Sequence, residues 1–168
     1  MLKLISKRKK KLTNSEVNLI CILKDSEWKY GLSSQKKFFE KFSKKDDLCN
    51  FLYFKDELIG FTILRKRLYI NNNIKRNFLL LDSMVLKKKY RKNNFKELLM
   101  NFNNEIIKLE NKLGILFCNN QLLKFYKKYN WKKYNKKNFN VEGYNKIDNV
   151  MCFNFKKNYK KIFLFVNK

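Results

Sequence analysis

The sequence predicts a mixed α/β fold, and three segments carry that prediction. Residues 78–86 are almost all apolar, which is typical of a strand buried on both faces. Residues 95–109 then place apolar side chains at i, i+3 and i+4, so a helix there has one apolar stripe. Residues 51–54 and 58–64 are apolar runs separated by a short polar turn, which predicts two paired strands. A sheet covered by helices follows.

The other segments complete this architecture in chain order. Thr13 and Glu16 have the spacing of a capping box, which predicts a helix that ends near Trp28. We expect Ser33 or Ser34 to cap a second, short helix that ends near Phe42. Further along the chain we expect a loop at 71–73, a strand at 115–118, a helix at 121–129, and closing strands at 131–134 and 150–153.

All 168 residues are expected to form one domain. Residues 1–12 form a basic N-terminal segment that lacks the apolar stretch of a signal peptide, and residues 156–168 are expected to add an edge strand or a tail. No apolar run is long enough to span a membrane. We therefore expect a cytoplasmic protein with no membrane partner. It would be a monomer, or a homodimer paired through the C-terminal segment at a sheet edge.

The formal net charge is +26, from 40 Lys and Arg against 14 Asp and Glu. Such a charge is typical of proteins that bind nucleic acid. However, the chain lacks Ala and Pro and is rich in Lys, Asn, Ile, Phe and Tyr, a pattern that AT-rich codon usage also produces. The basic residues are spread over the whole chain, so nucleic acid is not the partner that we expect.

The absence of histidine excludes His-based triads and His proton shuttles, and it removes the commonest zinc ligand. The four cysteines, Cys21, Cys49, Cys118 and Cys152, lie apart among apolar neighbours and form no CxxC pair. They are expected to be buried free thiols, and no metal site is expected.

The segment after the buried strand has the pattern of a phosphate-binding turn. Residues 87–96, Lys-Lys-Lys-Tyr-Arg-Lys-Asn-Asn-Phe-Lys, read as a cationic turn that opens a helix. The first N–H groups of a helix lack partners within the helix, and together with the helix dipole they favour phosphate. Downstream, Asn119 is followed seven residues later by Tyr126, and Asn130-Trp131 comes after that.

These motifs and the order of elements resemble the GNAT superfamily of acetyl-CoA-dependent acetyltransferases over most of the chain. Its cofactor loop reads Arg or Gln, two residues, Gly, one residue, then Gly or Ala. Residues 91–96 occupy this register, with Asn94 and Lys96 in place of the two small residues. The Asn–Tyr spacing also matches, and Asn130-Trp131 stands where Gly and an aromatic residue are usual. Asn tolerates left-handed backbone geometry better than most residues, which makes it a mild replacement for Gly.

The resemblance implies a mixed, mostly antiparallel sheet flanked by helices, with acetyl-CoA as co-substrate. It implies phosphate binding by Arg91, Lys92, Asn93, Asn94, Phe95 and Lys96. Main-chain groups of Met84 and Leu86 would hold the pantetheine arm and polarise the thioester carbonyl. Asn119 would bind the same arm or fix the strand end; taken alone, it is an ordinary loop residue.

Two side chains are candidates for proton transfer. The resemblance makes Tyr126 the general acid that protonates the departing thiolate, although its spacing also fits a core aromatic residue. Asp82 is the only acid on the central strand, where burial favours a general base. The family's acid stands about two positions earlier, at Leu80. A structural hydrogen-bond acceptor near a bulge is the alternative for Asp82.

The predicted function is therefore an N-acyltransferase that transfers acetyl to the amine of a small molecule. Ile59-Gly60-Phe61, followed by Arg65-Lys66-Arg67, and the later Val150-Met151-Cys152 resemble the aminoglycoside N-acetyltransferase and nodulation acyltransferase branch. This resemblance favours an amino sugar as acceptor. Candidate acceptor residues are Glu27, Trp28, Tyr30, Gln35, Tyr144 and Asp148, of which the acids could attract a cationic amine. Two alternatives stay open: a basic nucleic-acid-associated protein, and a catalytically degenerate GNAT-fold binding module.

Overall fold

A computed structural model describes residues 1–143, 147–155 and 161–167. In these ranges the helices are α1 (Asn14–Trp28), α2 (Leu32–Phe42), α3 (Phe95–Leu109) and α4 (Leu123–Lys128). The strands are β1 (Leu2–Arg8), β2 (Leu48–Phe54), β3 (Glu57–Asn71), β4 (Ile74–Leu86), β5 (Leu113–Cys118), β6 (Lys132–Tyr134), β7 (Phe139–Glu142), β8 (Asn149–Phe153) and β9 (Ile162–Phe165).

The sheet is mixed and mostly antiparallel, which confirms the predicted fold class. Its strand order is β1-β2-β3-β4-β5-β8-β6, and β9 pairs with both β3 and β7. The parallel pairs are β4 with β5, which joins Phe78–Leu80 to Leu113–Ile115, and β7 with β9. Pairs β1–β2, β2–β3, β3–β9, β5–β8 and β6–β8 are antiparallel.

The chain divides into two compact units. The first comprises Met1–Arg65 and Leu81–Asn103, and the second comprises Lys66–Leu80 and Asn104–Lys168. The first unit has an apolar cluster on each face of its sheet, because successive strand residues point to opposite faces. Phe51 joins α1 and α2 in one cluster, and Leu52 joins α3 in the other. A Cβ at Gly60 would lie 2.8 Å from Leu99 Cδ1, so the absence of a side chain there allows α3 to pack closely.

The second unit has its own core. Buried side chains from β4, β5, β8 and β9, among them Phe78, Ile115 and Leu164, form one cluster. Trp131 is also buried, and its Nε1 donates a 2.9 Å hydrogen bond to Asn104 Oδ1, which satisfies the indole N–H.

The N-terminal segment contains a strand that the sequence did not predict. Leu2–Arg8 pairs antiparallel with Phe54–Leu48 of β2. β1 forms one end of the strand order and is mostly exposed or half-buried, so it lacks the apolar alternation that marks an inner strand. Strand β7 was also not predicted.

The capping box at α1 is confirmed: Thr13 and Glu16 exchange both hydrogen bonds. The predicted cap of α2 by Ser33 or Ser34 is wrong, because α2 begins at Leu32 with Gly31 as its N-cap. Gly31 has φ +84°, which glycine adopts without strain, and its N–H donates a 2.7 Å bond to Asp25 Oδ1.

The predicted loop at 71–73 is a tight hairpin turn. β3 continues to Asn71 and β4 begins at Ile74, and only Asn72 and Asn73 connect them, with φ of 48° and 60°. A two-residue turn with both central φ values positive suits the twist of paired strands, and Asn tolerates that geometry. The helix predicted at 121–129 is shorter, because residues 120–122 form a 3-10 turn before α4.

The C-terminal segment forms a strand, but its predicted place at a sheet edge is wrong. β9 pairs with β3 on one side and with β7 on the other. It therefore offers no free edge to a second copy of the chain. Residues 156–160 and 168 lie outside the described residues.

Candidate active site

The cationic turn lies between β4 and α3, as predicted. Residues 88–90 form a 3-10 turn and α3 begins at Phe95. The rings of Tyr90 and Phe95 both contact Phe54 of β2, with centroid distances of 5.9 Å and 5.4 Å. The two ends of the turn are thus packed on the core, and Phe95 can serve a ligand only through its main chain.

Glu57, at the start of β3, pairs with the first lysines of this turn. Its carboxylate accepts a 2.8 Å hydrogen bond from Lys87 Nζ and a 2.7 Å bond from Tyr90 Oη, and Lys89 Nζ lies 3.0 Å away. The bonds from Lys87, Tyr90 and Lys89 lower the pKa of Glu57 to about 2. No local sequence signal marks Glu57, because its partners follow 30 or more residues later.

Arg91 is held by two contacts. Its Nε donates a 3.0 Å hydrogen bond to the carbonyl of Leu86, and its guanidinium forms an ion pair with Glu27 of α1. One third of the Arg91 side chain stays exposed. The carboxylate of Glu27, a candidate for attracting the acceptor amine, is therefore already paired with a cation.

The tip of the turn is open to solvent. Lys92, Asn93 and Asn94 are exposed, and Lys96 is half-buried on the first turn of α3. Asn94 is not among the described residues with positive φ. The backbone at Asn94 is therefore not left-handed, and this conformation does not need the glycine that is usual at this position of the family's loop.

Asp82 lies on β4 and is paired with Arg65 of β3. The distance from Arg65 Nη1 to Asp82 Oδ2 is 3.0 Å, and Ser83 Oγ lies 3.3 Å from Asp82 Oδ1. Ser83 has φ +55°, a left-handed residue inside a strand, which costs about 1 kcal/mol or more. The structure thus places Asp82 beside a backbone irregularity and gives it a hydrogen-bonding role.

Met84 and Leu86 follow on the same strand. Leu86 is buried in the cluster beneath α3, and the half-buried Met84 packs against that cluster. The Leu86 side chain belongs to the core, so we expect any contact of this residue with a ligand to come from its main chain.

Asn119 and Tyr126 lie in the second unit. Asn119 Oδ1 accepts a 3.2 Å bond from the N–H of Leu122 and so caps the turn before α4. Tyr126 is 9% exposed, and its ring packs on those of Phe125 and Trp131. Asn130, in the family's glycine position, has φ +66°, the geometry that Asn tolerates.

The remaining acceptor candidates differ in exposure. Tyr30 and Asp148 are exposed and Trp28 is half-buried. Gln35 is buried, and its Nε2 atom has no hydrogen-bond partner among the residues that the structure describes. Tyr144 lies outside the described residues.

Lys24, which was not among the predicted site residues, is only 4% exposed. It stands four residues after Ile20 and three after Cys21, so its place on the apolar stripe of α1 was the available signal. Burial lowers the pKa of its ammonium group.

A cavity of about 340 Å³ in the second unit is lined by Tyr69, Arg76, Asn111, Lys112 and four further residues, none of which is a predicted site residue. No helix among the described residues is long and apolar enough to cross a membrane. Among the same residues, no cluster of three or more Cys, Asp or Glu side chains could hold a metal ion. All four cysteines are buried and free.

Comparison of the sequence with protein-family models and with curated proteins gave no match. Solved structures do match. A GNAT-family acetyltransferase from Staphylococcus aureus is 11% identical with a TM-score of 0.62, and the match covers 90% of this chain and 98% of that one. An acyl-CoA N-acyltransferase from Pseudomonas aeruginosa is 13% identical with a TM-score of 0.65, covering 90% and 99%. An aminoglycoside 6'-N-acetyltransferase complexed with coenzyme A is 15% identical with a TM-score of 0.64, covering 92% and 99%. The chain therefore has the GNAT fold.

Proposed function

We propose that this chain is an acyl-CoA-dependent N-acyltransferase that transfers acetyl from acetyl-CoA to the amine of a small molecule. The observation that carries the proposal is the cationic turn between β4 and α3 in a chain with the GNAT fold. Exposed Lys92, Asn93 and Asn94 precede a helix of 15 residues. Helix N-termini favour phosphate through both their free N–H groups and the helix dipole.

The residues of the first unit fit the chemical groups of acetyl-CoA. The N–H groups of Arg91 and Asn93 already donate to the carbonyls of Lys88 and Tyr90, so the backbone N–H groups of Lys92, Asn94, Phe95 and Lys96, with the cations of the turn, would hold the phosphates. The main chain of Met84 and Leu86 would hold the pantetheine arm, and Asn119 of the second unit is the further candidate for that contact. The Met84 N–H, aimed at the thioester carbonyl, would stabilise the negative charge that develops on its oxygen.

The reaction needs one proton to leave the acceptor amine and one to reach the departing sulfur. The amine nitrogen attacks the thioester carbonyl carbon, so a C–N bond forms and the C–S bond breaks. In this proposal Asp82 accepts the amine proton, directly or through water, and Tyr126 donates its phenolic proton to the sulfur. Arg65 fixes the position of the Asp82 carboxylate for this task.

The proposed enzyme works in the cytoplasm, where its four free thiols stay reduced. Nucleic acid and membranes are not among its proposed partners. The fold supports this activity without selecting the acceptor, and the chain would work as a monomer or a homodimer.

The test is thermal unfolding with acetyl-CoA, with free CoA, and with an RNA oligomer of matched phosphate charge at near-physiological salt. A ligand at about 100 times its Kd adds about 2.7 kcal/mol to the free energy of unfolding. We expect both CoA species to raise the melting temperature and RNA to leave it unchanged. When a panel of amines is then added to the protein with acetyl-CoA, we expect release of free CoA. No shift with either CoA species overturns the proposal. A shift without transfer to any amine favours the degenerate binding module, and an RNA shift favours the nucleic-acid reading.

A further inference from the structure

A small pocket of the first unit holds a buried lysine. Lys24 of α1 lines it together with Phe38 and Phe42 of α2, and its floor includes Asp82 and Ser83 of β4. The Lys24 Nζ atom lies 4.9 Å from the ring centre of Phe38 and 5.8 Å from that of Trp28. Aromatic faces stabilise a cation but do not neutralise it.

The charges in this pocket do not cancel. Asp82 is paired with Arg65, whose side chain is also buried. Among the described residues, no carboxylate oxygen lies within 4.0 Å of Lys24 Nζ; the Asp82 carboxylate acts on it only from a longer distance. The neighbouring thiols, Cys21 and Cys49, have pKa values raised by burial, so they supply no negative charge. One desolvated positive charge is left over, which is costly unless an anion meets it.

The pocket adjoins the strand position where the proposed chemistry occurs. Asp82 and Ser83, which line the pocket, immediately precede Met84 on β4. A molecule whose amine lies beside Met84 can therefore place a group a few bonds away at Lys24. The free volume of the pocket, about 10 Å³, is at the lower limit for one water, so it admits no more than one oxygen atom of an anionic group.

The acidic residues nearby give a polycationic acceptor little to bind. Each carboxylate of α1, α2 and β4 already has a partner: Glu16 with Lys7, Asp25 with the N–H of Gly31, Glu27 with Arg91, Glu40 with Lys9, and Asp82 with Arg65. An amino sugar with several ammonium groups would have to displace these pairs.

We propose that the acceptor is a small amino-carboxylate and that Lys24 binds its carboxylate while the amine faces β4. This inference rests on the proposed N-acyltransferase function and names its substrate class, which differs from the amino sugar favoured by the sequence.

The test compares ω-amino acids, from glycine to 6-aminohexanoate, with n-alkylamines of the same chain lengths. Binding to the CoA-loaded protein is measured by calorimetry, and acetylation is measured by mass spectrometry. We expect at least one ω-amino acid to bind about tenfold or more tighter than its alkylamine, as a charge-assisted hydrogen bond permits. Lys24→Met should remove that preference, so that each ω-amino acid binds no tighter than its alkylamine. Lys41→Met is the matched control, because Lys41 is exposed on α2 beside Phe42 and should keep the preference.

The outcomes separate this inference from the enzyme proposal. Equal affinity for both series in the wild-type protein overturns the inference, and this measurement needs no variant. A preference that survives Lys24→Met also overturns it, although the chain can still be an acyltransferase. Absence of acetyl-CoA binding overturns the enzyme proposal and the acceptor role with it.

Discussion

Tyr90 donates a 2.7 Å hydrogen bond from its hydroxyl to Glu57, a residue 33 positions earlier in the chain. The same carboxylate contacts Lys87 and Lys89, so this one residue at the start of β3 contacts three side chains of the turn. Like charges repel along a run of lysines, and Glu57 offsets that repulsion where the turn leaves β4. The conformation of the proposed phosphate-binding turn therefore depends on a residue outside it.

Glu57→Gln should change how stability depends on pH. The folded-state pKa of Glu57, about 2, lies below its ordinary value of 4.5. Its contribution to stability is therefore present above pH 4.5 and is lost as the pH falls from 4.5 towards 2. Urea unfolding across this range should show a smaller loss of stability in Glu57→Gln than in the wild-type protein. Glu105→Gln, which breaks an exposed pair with Lys108, serves as the control. Parallel pH profiles for wild type and Glu57→Gln would contradict the prediction.

Arg91→Met should weaken acetyl-CoA binding by about tenfold or more, because it removes a cation and a hydrogen bond to the Leu86 carbonyl from the turn. Glu27→Gln, by contrast, frees the Arg91 guanidinium from its ion pair and should leave the Kd within about threefold of the wild-type value. Calorimetric titration of both variants checks this. An unchanged Kd in Arg91→Met would show that Arg91 is only a structural partner of Glu27.

Tyr126→Phe should lower kcat by roughly 100-fold or more, the usual contribution of a general acid, with little change in the Kd for acetyl-CoA. The matched control is Tyr129→Phe, because Tyr129 is a buried tyrosine three residues further along whose ring also contacts Phe125 edge to face. Steady-state kinetics with a reactive amine and calorimetry with acetyl-CoA separate the two effects. If both variants keep full activity, Tyr126 is a core aromatic residue and not the acid.

Asn103→Leu should destabilise the first unit by about 2–3 kcal/mol, because it leaves two buried groups without a partner. Asn103 Oδ1 accepts bonds of 2.8 Å from Asn50 and 2.9 Å from Thr62. Asn101→Leu, at an exposed position of α3, should change stability by less than about 0.5 kcal/mol. Chemical denaturation of both variants provides the comparison, and equal midpoints would rule out a stabilising network at Asn103.

The sequence predicted the elements whose signals are local. The stripe that contains Leu99 defined α3, the pair Thr13–Glu16 defined the start of α1, and the cationic turn was correctly placed between a strand and a helix. Strand β1 was missed because its pairing partners lie 40 to 52 residues away and none of its own residues is fully buried. An edge strand needs little apolar alternation.

The contacts of the candidate site were harder to predict than its members. Asp82 stood out as a lone acid among apolar residues, but its partner Arg65 follows from the register of β3 and β4, which no local pattern encodes. Lys24 lies on the apolar stripe of α1, but in a chain with 40 basic residues that position alone does not show that the side chain is buried. Its burial depends on how α2 packs against α1, and that packing is a tertiary property.

The four buried cysteines have a practical consequence for measurement. Burial raises the pKa of each thiol, to about 12 for Cys49, so the folded chain presents little reactive thiolate at neutral pH. A colorimetric disulfide reagent added to native protein should therefore report almost exclusively the coenzyme freed by turnover. In denaturant, the same reagent should titrate four equivalents per chain. The same reagent can therefore measure turnover with native protein and the amount of unfolded protein in denaturant.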